Sequence, residues 1–362
     1  MELSLCMIVK DEEAHLGACL ESIRDAVDEI IVVDTGSNDR TKEIAGRYTP
    51  HVYDYAWKDD FADARNASFS YATKPFILWL DADDVLDEAE REKLIALKER
   101  LDQTVDAVMM PYHYAFAQDG TPSLVFERER IVRRKAGFRF SGAVHEAMAV
   151  SGHVIHEDIV IRHTGQHGED SNRRNLAIYE KLLAEGRTLS ARDWYYYARE
   201  LKNAGNMQRA IKAFDTFLKM DGWIENRIDA CIQKGECLCA IGERRQAKES
   251  FMKAMLEGTP RAEALCALGA CFMEEGELEA AELWYRAALL CRQKKNAGAF
   301  TFPEMYGYVP LMQLCVVYSK MGDDLRASQM NEQALLLRPD DPAALFNRNY
   351  FADRLGGQEI HG

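Results

Sequence analysis

Positive charge is in short supply in this 362-residue chain: 45 Lys and Arg stand against 59 Asp and Glu, a formal net charge of −14. That deficit argues against nucleic acid as the main partner, because backbone recognition needs a clustered excess of Lys and Arg, and it disfavours anionic membrane surfaces as well. No window approaches the ~18 uninterrupted apolar residues that a spanning helix requires. The first apolar run, Leu3 to Val9, passes directly into Lys10-Asp11-Glu12-Glu13. It has neither a basic segment before it nor a small-residue cleavage site after it, so a cytoplasmic chain is expected. A disulfide framework is also disfavoured: the nine cysteines are odd in number and mostly sit where helices would bury them. Cys237-Leu238-Cys239 lacks the two-residue spacer of a zinc or redox pair.

What is present begins with Phe76-Ile77-Leu78-Trp79-Leu80-Asp81-Ala82-Asp83-Asp84, a short apolar run that ends in three carboxylates. Five bulky apolar residues suit a buried strand of an α/β sheet and are too few for an independent helix. In open α/β sheets, ligands bind outside the carboxyl ends of strands, which is where Asp81 and Asp83 fall. Carboxylates at i and i+2 crowd negative charge, and a hard cation such as Mg2+ or Mn2+, with ligand phosphates completing its shell, relieves it. The competing reading is an acidic turn that caps the helix starting near Glu88.

Around that run, strands and helices alternate. Leu3 to Val9 reads as a strand, Ala14 to Ile23 as a helix, and Glu29 to Val33 as a β-branched strand. The strand stops at Asp34-Thr35-Gly36-Ser37-Asn38-Asp39, a loop of turn residues, before a helix from about Thr41. The alternation predicts parallel strands joined by right-handed crossovers. Asp34 is placed either to accept hydrogen bonds from a base or ribose or to cap the following helix. Further along, Arg128, Arg130, Arg133 and Arg134 lie on a predicted strand from Leu124 to Arg134, where a solvated strand face is the first expectation and a face toward phosphate or an acceptor the second.

Four stretches in order carry a family resemblance: Cys6 to Glu12, Val33 to Asp39, Asp60 to Asn66, and Leu78 to Asp83. Together they resemble the family 2 glycosyltransferases, which have a GT-A (Rossmann-like) α/β fold. The resemblance implies an inverting transfer of a sugar from a nucleotide-diphosphate donor, a UDP-sugar, assisted by Mn2+ or Mg2+. Carried onto this chain, it implies donor contacts at Val9, Asp11, Asp34, Asp39, Arg65, Asn66, Asp81, Ala82 and His145, with Arg65 near the pyrophosphate. Asp83 is the implied metal ligand, and Asp81 lies near the ribose or the metal. Where many relatives have a second Asp after the position of Asp34, this chain has Thr35.

A second constellation runs from Phe138 to Gly165, and five of the nine histidines, His145, His153, His156, His163 and His167, fall in the 23-residue window 145–167. One cause of such clustering is a metal-dependent site, with a His in the cation's shell and a carboxylate deprotonating the acceptor. The alternatives are hydrogen-bonded histidines that position loops, or a structural zinc, which the absence of cysteine disfavours. Gly142-Ala143-Val144-His145-Glu146 and His163-Thr164-Gly165 resemble stretches of the same glycosyltransferase group. On that likeness Glu146 is the general base and His163 a third metal ligand or diphosphate contact.

After a linker at Gln166 to Asn172 the composition turns to helix formers, and a repeat appears. Gly205, Gly242, Gly276 and Gly322 each precede an alanine by five residues and follow a small residue by seven, at intervals of 37, 34 and 46. These are tetratricopeptide-like repeats, in which paired helices need a turn glycine and small residues where they cross. The long last interval predicts an insertion over 292–305, and Pro339, Pro342 and Gly356-Gly357 predict a fraying end. The domains expected are residues 1–168 (with a catalytic extension to about 190), an all-α repeat superhelix at 190–345, and a tail at 346–362.

The whole resembles bacterial family 2 transferases fused to tetratricopeptide repeats, a group that includes peptide and bacteriocin glycosyltransferases. A protein or peptide acceptor recruited by the repeat groove is the first expectation, with homodimerisation or buttressing through the helices as the alternative. A cell-envelope saccharide acceptor and a scaffold with a degenerate transferase domain are the competing functions.

Overall fold

The computed structural model describes residues 1–117, 120–165, 169–292 and 300–356. It divides into two compact units, Met1–Tyr196 with Asn296–Phe300, and Tyr197–Lys295 with Thr301–Gly362.

In the first unit β1 (Leu3–Val9), α1 (Leu16–Ile23), β2 (Glu29–Asp34), α2 (Thr41–Gly46), β3 (Val52–Asp54), α3 (Phe61–Tyr71) and β4 (Phe76–Trp79) alternate as expected. Then come β5 (Asp84–Val85), α4 (Glu88–Arg100), the long hairpin β6 (Ala107–Phe116) and β7 (Pro122–Arg133), and the short β8 (Phe140–Ser141), β9 (Ala147–Met148), β10 (Val154–His156) and β11 (Ile161–His163). The main sheet runs β3-β2-β1-β4-β7-β6-β11-β5, with β10 also on β6, while β8 and β9 pair separately. β1, β2, β3 and β4 are parallel, and β7 lies antiparallel to β4 and β6.

Strands buried on both faces carry continuous apolar runs, which is why β1 and β4 show no polar alternation. One face packs Leu3, Leu5, Met7, Phe76 and Leu78 against α1 and α4, and the other packs Cys6, Ile31, Ile77 and Trp79 with Phe140. The register sets Val9 beside Asp34 and Cys6 beside Trp79, so the carboxyl ends of β1, β2 and β4 open on the same edge. Asp60 caps α3 by accepting a hydrogen bond from the Asp63 N–H at 2.9 Å, which fixes the helix that carries Arg65. In the expected hairpin turn, residues 118 and 119 lie outside the described residues; beside them Ala117 N–H donates to the Thr121 carbonyl at 2.8 Å.

The expected linker at 166–172 is described only in part. Residues 166–168, His167 among them, lie outside the described residues, and α5 (Glu169–Ala184) already covers 169–172 as helix. α6 (Ala191–Asn203) follows, and the first compact unit extends to Tyr196 within it, beyond the boundary expected near 190.

The second unit continues with α7 (Met207–Leu218), α8 (Ile224–Ala240), α9 (Arg244–Glu257), α10 (Ala262–Glu274), α11 (Leu278–Leu290), α12 (Tyr308–Lys320), α13 (Asp324–Leu337) and α14 (Pro342–Gly356). The turn glycines Gly242, Gly276 and Gly322 have φ between +81° and +84°, the left-handed conformation that ends a helix with little cost only for glycine. Where the helices of a pair cross, a Cβ on Gly269 would come within 2.8 Å of the Tyr285 ring, and one on Gly235 would fall inside the Phe251 ring's contact distance. The fold is thus an α/β GT-A-like unit followed by an all-α unit of tetratricopeptide-like pairs. Of the insertion expected at 292–305, residues 293–299 lie outside the described residues, and Pro303–Tyr306 forms a single 3₁₀ turn.

The expected last helix is α14, and the end expected to fray after it, residues 357–362, lies outside the described residues. Proline is tolerated at a first helical position, so Pro342 starts α14 and does not stop it, and Phe351 is buried in the repeat core. All nine cysteines are free thiols. Among the described residues no helix is long and apolar enough to cross a membrane.

Candidate active site

The loops after β1 and β2 interlock. Asp34 is 2% exposed; its Oδ2 accepts hydrogen bonds from the N–H groups of Gly36 and Ser37, each at 3.0 Å. Its Oδ1 is buried and meets no donor among the described residues, an orphaned acceptor of the kind that a ligand N–H or O–H satisfies. Thr35 donates from Oγ1 to the Val9 carbonyl at 3.1 Å, so the residue that departs from the family pattern ties the two strand ends together. Asp11 takes a left-handed φ of +54° and accepts from Asn38 N–H at 2.7 Å. Asp39 spends its Oδ2 on the N–H of Glu13 at 3.0 Å and its Oδ1 on that of Thr41 at 2.9 Å. It holds the loops after β1 and β2 together.

At the end of β4, one guanidinium bridges two carboxylates. Arg65 on α3 reaches Asp81 Oδ1 through Nη2 and Glu146 Oε1 through Nε, both at 2.5 Å. Arg65 lies over the Trp79 ring at 4.7 Å and is buried, so the pair Arg65 and Glu146 is shielded from water. Burial raises the Asp81 carboxyl's pKa, but the Arg65 charge outweighs it and holds the group below the ordinary carboxylate range. Asn66, expected at the donor, uses both ends of its amide on the backbone of Phe140, at 2.9 Å each, and so pins β8. Ala82 has its methyl in the core.

A second group forms where β5 pairs with β11. Asp83, Asp84 and His163 bring one ligand atom each within 4.8 Å of one another, with His163 Nδ1 3.3 Å from Asp83 Oδ1. Burial disfavours charge on His163, yet Asp83 and Asp84 push its pKa up to about 10. Two hard carboxylates and an imidazole suit Mg2+ or Mn2+. A cradle accompanies them: a Cβ on Gly165 would stand 2.0 Å from Asp83 Oδ2, so the backbone there leaves room for that carboxylate alone. The Thr164 N–H and hydroxyl both donate to the Asp83 carbonyl at 2.8 Å. The residues therefore fit a divalent cation. Asp81, expected as a ligand, faces Arg65, and the carboxylate that stands with Asp83 and His163 is Asp84.

Asp84 and Arg130, named in the sequence only as one of three carboxylates and one of four strand arginines, form a buried pair beside this group. Asp84 accepts from the Tyr112 hydroxyl at 2.7 Å and pairs with Arg130 Nη1 at 3.0 Å, both side chains fully buried. Arg130 lies 4.3 Å from the Trp79 and Tyr112 ring centres. Two of the four arginines depart from the expected solvated face: Arg130 neutralises a buried carboxylate, and Arg128 packs over Trp79 at 4.6 Å, whereas Arg134 is exposed. The histidine cluster also separates in space. His145 stacks on Tyr196 at 4.2 Å, His156 meets Glu127 at 3.0 Å, His153 lies 3.4 Å from Thr104, and His163 alone among the described histidines joins the carboxylates.

A mixed, largely parallel sheet with acidic groups at its strand ends is an α/β domain of the kind that binds ligands outside the carboxyl ends of its strands. Residues 4–144 match the model of the glycosyl transferase family 2, and the amino-terminal unit is a family 2 domain joined to tetratricopeptide-like repeats. The chain is 31% identical over 296 residues to a TPR repeat-containing protein of Synechococcus elongatus, covering 80% of this chain and 66% of that one. It is 30% identical to the SPbeta prophage-derived glycosyltransferase SunS of Bacillus subtilis, covering 49% of this chain and 44% of that one. To the lipopolysaccharide core biosynthesis glycosyltransferase LpsC of Rhizobium meliloti it is 32% identical, covering 42% of this chain and 59% of that one. The chain thus spans between 44% and 66% of the length of these relatives.

Proposed function

We propose that the chain is a metal-dependent inverting glycosyltransferase that moves a sugar from a UDP-sugar to a protein or peptide acceptor. The observation that carries this reading is the convergence of Asp83, Asp84 and His163 beside Asp81, which Arg65 bridges to Glu146 on the loop before β9. In it, the buried Oδ1 of Asp34 accepts a hydrogen bond from the base or ribose, with Val9 and Asp11 shaping that end. Asp83 and His163 hold Mn2+ or Mg2+, and Asp84 backs them with its charge balanced by Arg130. The cation, when bound, neutralises negative charge that grows on the departing diphosphate.

Glu146 is the general base. It takes the proton from the acceptor's nucleophilic atom as that atom bonds to the anomeric carbon, while the bond from that carbon to the diphosphate oxygen breaks and the diphosphate leaves with the electron pair. Arg65 positions Glu146 and Asp81 and lies where a diphosphate would meet it. His145, held by Tyr196, orients the loop that carries Glu146.

The repeats recruit the acceptor, because stacked helix pairs make an extended surface suited to peptides, or they join two copies as a homodimer. The likeness to LpsC favours a second reading, a cell-envelope saccharide acceptor. A degenerate scaffold ranks behind both, since the acidic groups are retained and converge. Donor hydrolysis and transfer by Asp83→Asn and Glu146→Gln test the reading. Asp83→Asn abolishes both with the fold intact, and Glu146→Gln binds donor normally but transfers slowly; undiminished turnover in Asp83→Asn would refute the metal grip.

A further inference from the structure

Glu146 stands at the end of a turn that its own strands cannot fix. β8 and β9 pair over only two residues each, Phe140 with Met148 and Ser141 with Ala147, and a two-stranded ribbon of that length is marginal in water. The turn between them, 142–146, also has an uncommon backbone. His145 takes a φ of +50°, the left-handed region that a residue other than glycine keeps only where its surroundings over-determine it.

Those surroundings come from three helices. The three carbonyls that precede Glu146 each accept from a different one: Ala143 from the Phe61 N–H at the start of α3 at 2.9 Å, Val144 from the Tyr179 hydroxyl on α5 at 3.3 Å, and His145 from Arg192 Nε on α6 at 3.0 Å. The helix α6 holds the His145 side chain as well. The imidazole stacks on Tyr196 at 4.2 Å and 16°, and the Arg192 guanidinium lies 4.7 Å from the same Tyr196 ring centre and donates to its hydroxyl at 3.3 Å. Arg192 and Tyr196 lie past residue 144, where the family 2 match ends, yet they belong to the compact unit that contains the sheet.

We propose that Arg192 and Tyr196 are positioning residues for Glu146, setting through the backbone and ring of His145 where the neighbouring carboxylate stands. The inference rests on Glu146 as general base in the reading above. A base must come within hydrogen-bond reach of the proton it takes, and a misplacement of about 1 Å costs on the order of 10²-fold in rate.

The full chain carrying Arg192→Met, Tyr196→Ala or the conservative Tyr196→Phe tests it, with melting curves to establish that each folds. Amide hydrogen exchange reads the hold on the turn: residues 142–148 exchange at least tenfold faster in Arg192→Met and Tyr196→Ala, while β1 and β4 keep wild-type rates. Turnover is read as hydrolysis of UDP-glucose, UDP-galactose and UDP-N-acetylglucosamine with Mn2+, water standing in for the acceptor, and calorimetry gives the affinity for UDP. Arg192→Met and Tyr196→Ala lower kcat about 10–100-fold with UDP affinity within twofold of wild type, and Tyr196→Phe, which keeps the ring stacked on His145, retains at least half the rate. Added to Glu146→Gln, Arg192→Met costs less than a further twofold, because the group it places is already gone. A loss of full size in the Glu146→Gln background, or a fall in UDP affinity that matches the fall in kcat, overturns the proposal: the helix then supports the fold and not the base. Unchanged exchange and turnover in Arg192→Met and Tyr196→Ala overturn it too, and leave the transferase reading intact. A Glu146→Gln variant that turns over like wild type, or a wild-type protein that binds no UDP with Mn2+, overturns that reading and the positioning role with it.

Discussion

Gly165→Ala isolates the cation cradle from every ligand atom. The added Cβ would lie 2.0 Å from Asp83 Oδ2, 2.9 Å from its Cγ and 3.1 Å from His163 Cε1, whereas ordinary contact begins at 3.4 Å. The carboxylate oxygen must therefore retreat by about 1.4 Å. Metal–ligand distances tolerate only about 0.2 Å, so the displaced oxygen can no longer share an ion with His163. Gly165 itself is free of left-handed strain, so the substitution acts through this contact and not through the backbone. Overpacking of this kind costs roughly 1–3 kcal/mol of stability, while disturbing the shell around a metal ligand costs about 10–100-fold in affinity. The assay is a Mn2+ titration followed by the EPR signal of the free ion, with a thermal melt alongside. Affinity within twofold of wild type, with the protein folded, would refute the cradle.

The buried pairs make their own predictions. Arg65→Met strands Glu146 in a buried setting and is expected to destabilise by about 3–5 kcal/mol, with the double variant Arg65→Met/Glu146→Gln recovering part of the loss in chemical denaturation. Arg130→Met leaves Asp84 fully buried without its cation and costs a similar ~3–5 kcal/mol. Arg130→Lys also loses stability, because an ammonium cannot reproduce the planar contact with Trp79 and Tyr112; a lysine variant as stable as wild type would remove that contact from the account. In the repeats, Gly276→Ala should cost about 1 kcal/mol for its left-handed φ of +81°, whereas Gly269→Ala meets the Tyr285 ring and should cost about 1–3 kcal/mol. Equal melting points for the two would contradict the crossing geometry.

The alternation of strands and helices was legible because apolar periodicity and turn residues are local signals, and the same is true of the repeat glycines. Asp83 and His163 could each be picked out by type and motif. Their meeting, however, depends on the pairing of β5 with β11 across some eighty residues, a contact that no local pattern encodes. The pairing of Asp84 with Arg130 escaped notice for a related reason: a charged residue within a strand reads as solvated until its partner is known, and this pair is buried only because each neutralises the other. The nearness in sequence of His145, His153, His156 and His163 did not become nearness in space, since the loop after β8, the start of β10, and β11 carry them to different partners. Asn66 lay in a motif that implied donor contact, yet its amide matches the two backbone groups of Phe140, a role that depends on where β8 runs. By sequence Pro342 groups with the fraying end, yet it starts the last described helix, because the same ring that breaks a helix interior suits its first position.

The central claim is that a divalent ion bound by Asp83 and His163 seats the donor's diphosphate. A crystal soaked with Mn2+ and UDP, measured at the manganese absorption edge, tests it most directly. The account predicts an anomalous peak within bonding distance of Asp83 and His163, shared with diphosphate oxygens. Ordered UDP in the cleft with no manganese at those side chains would contradict it.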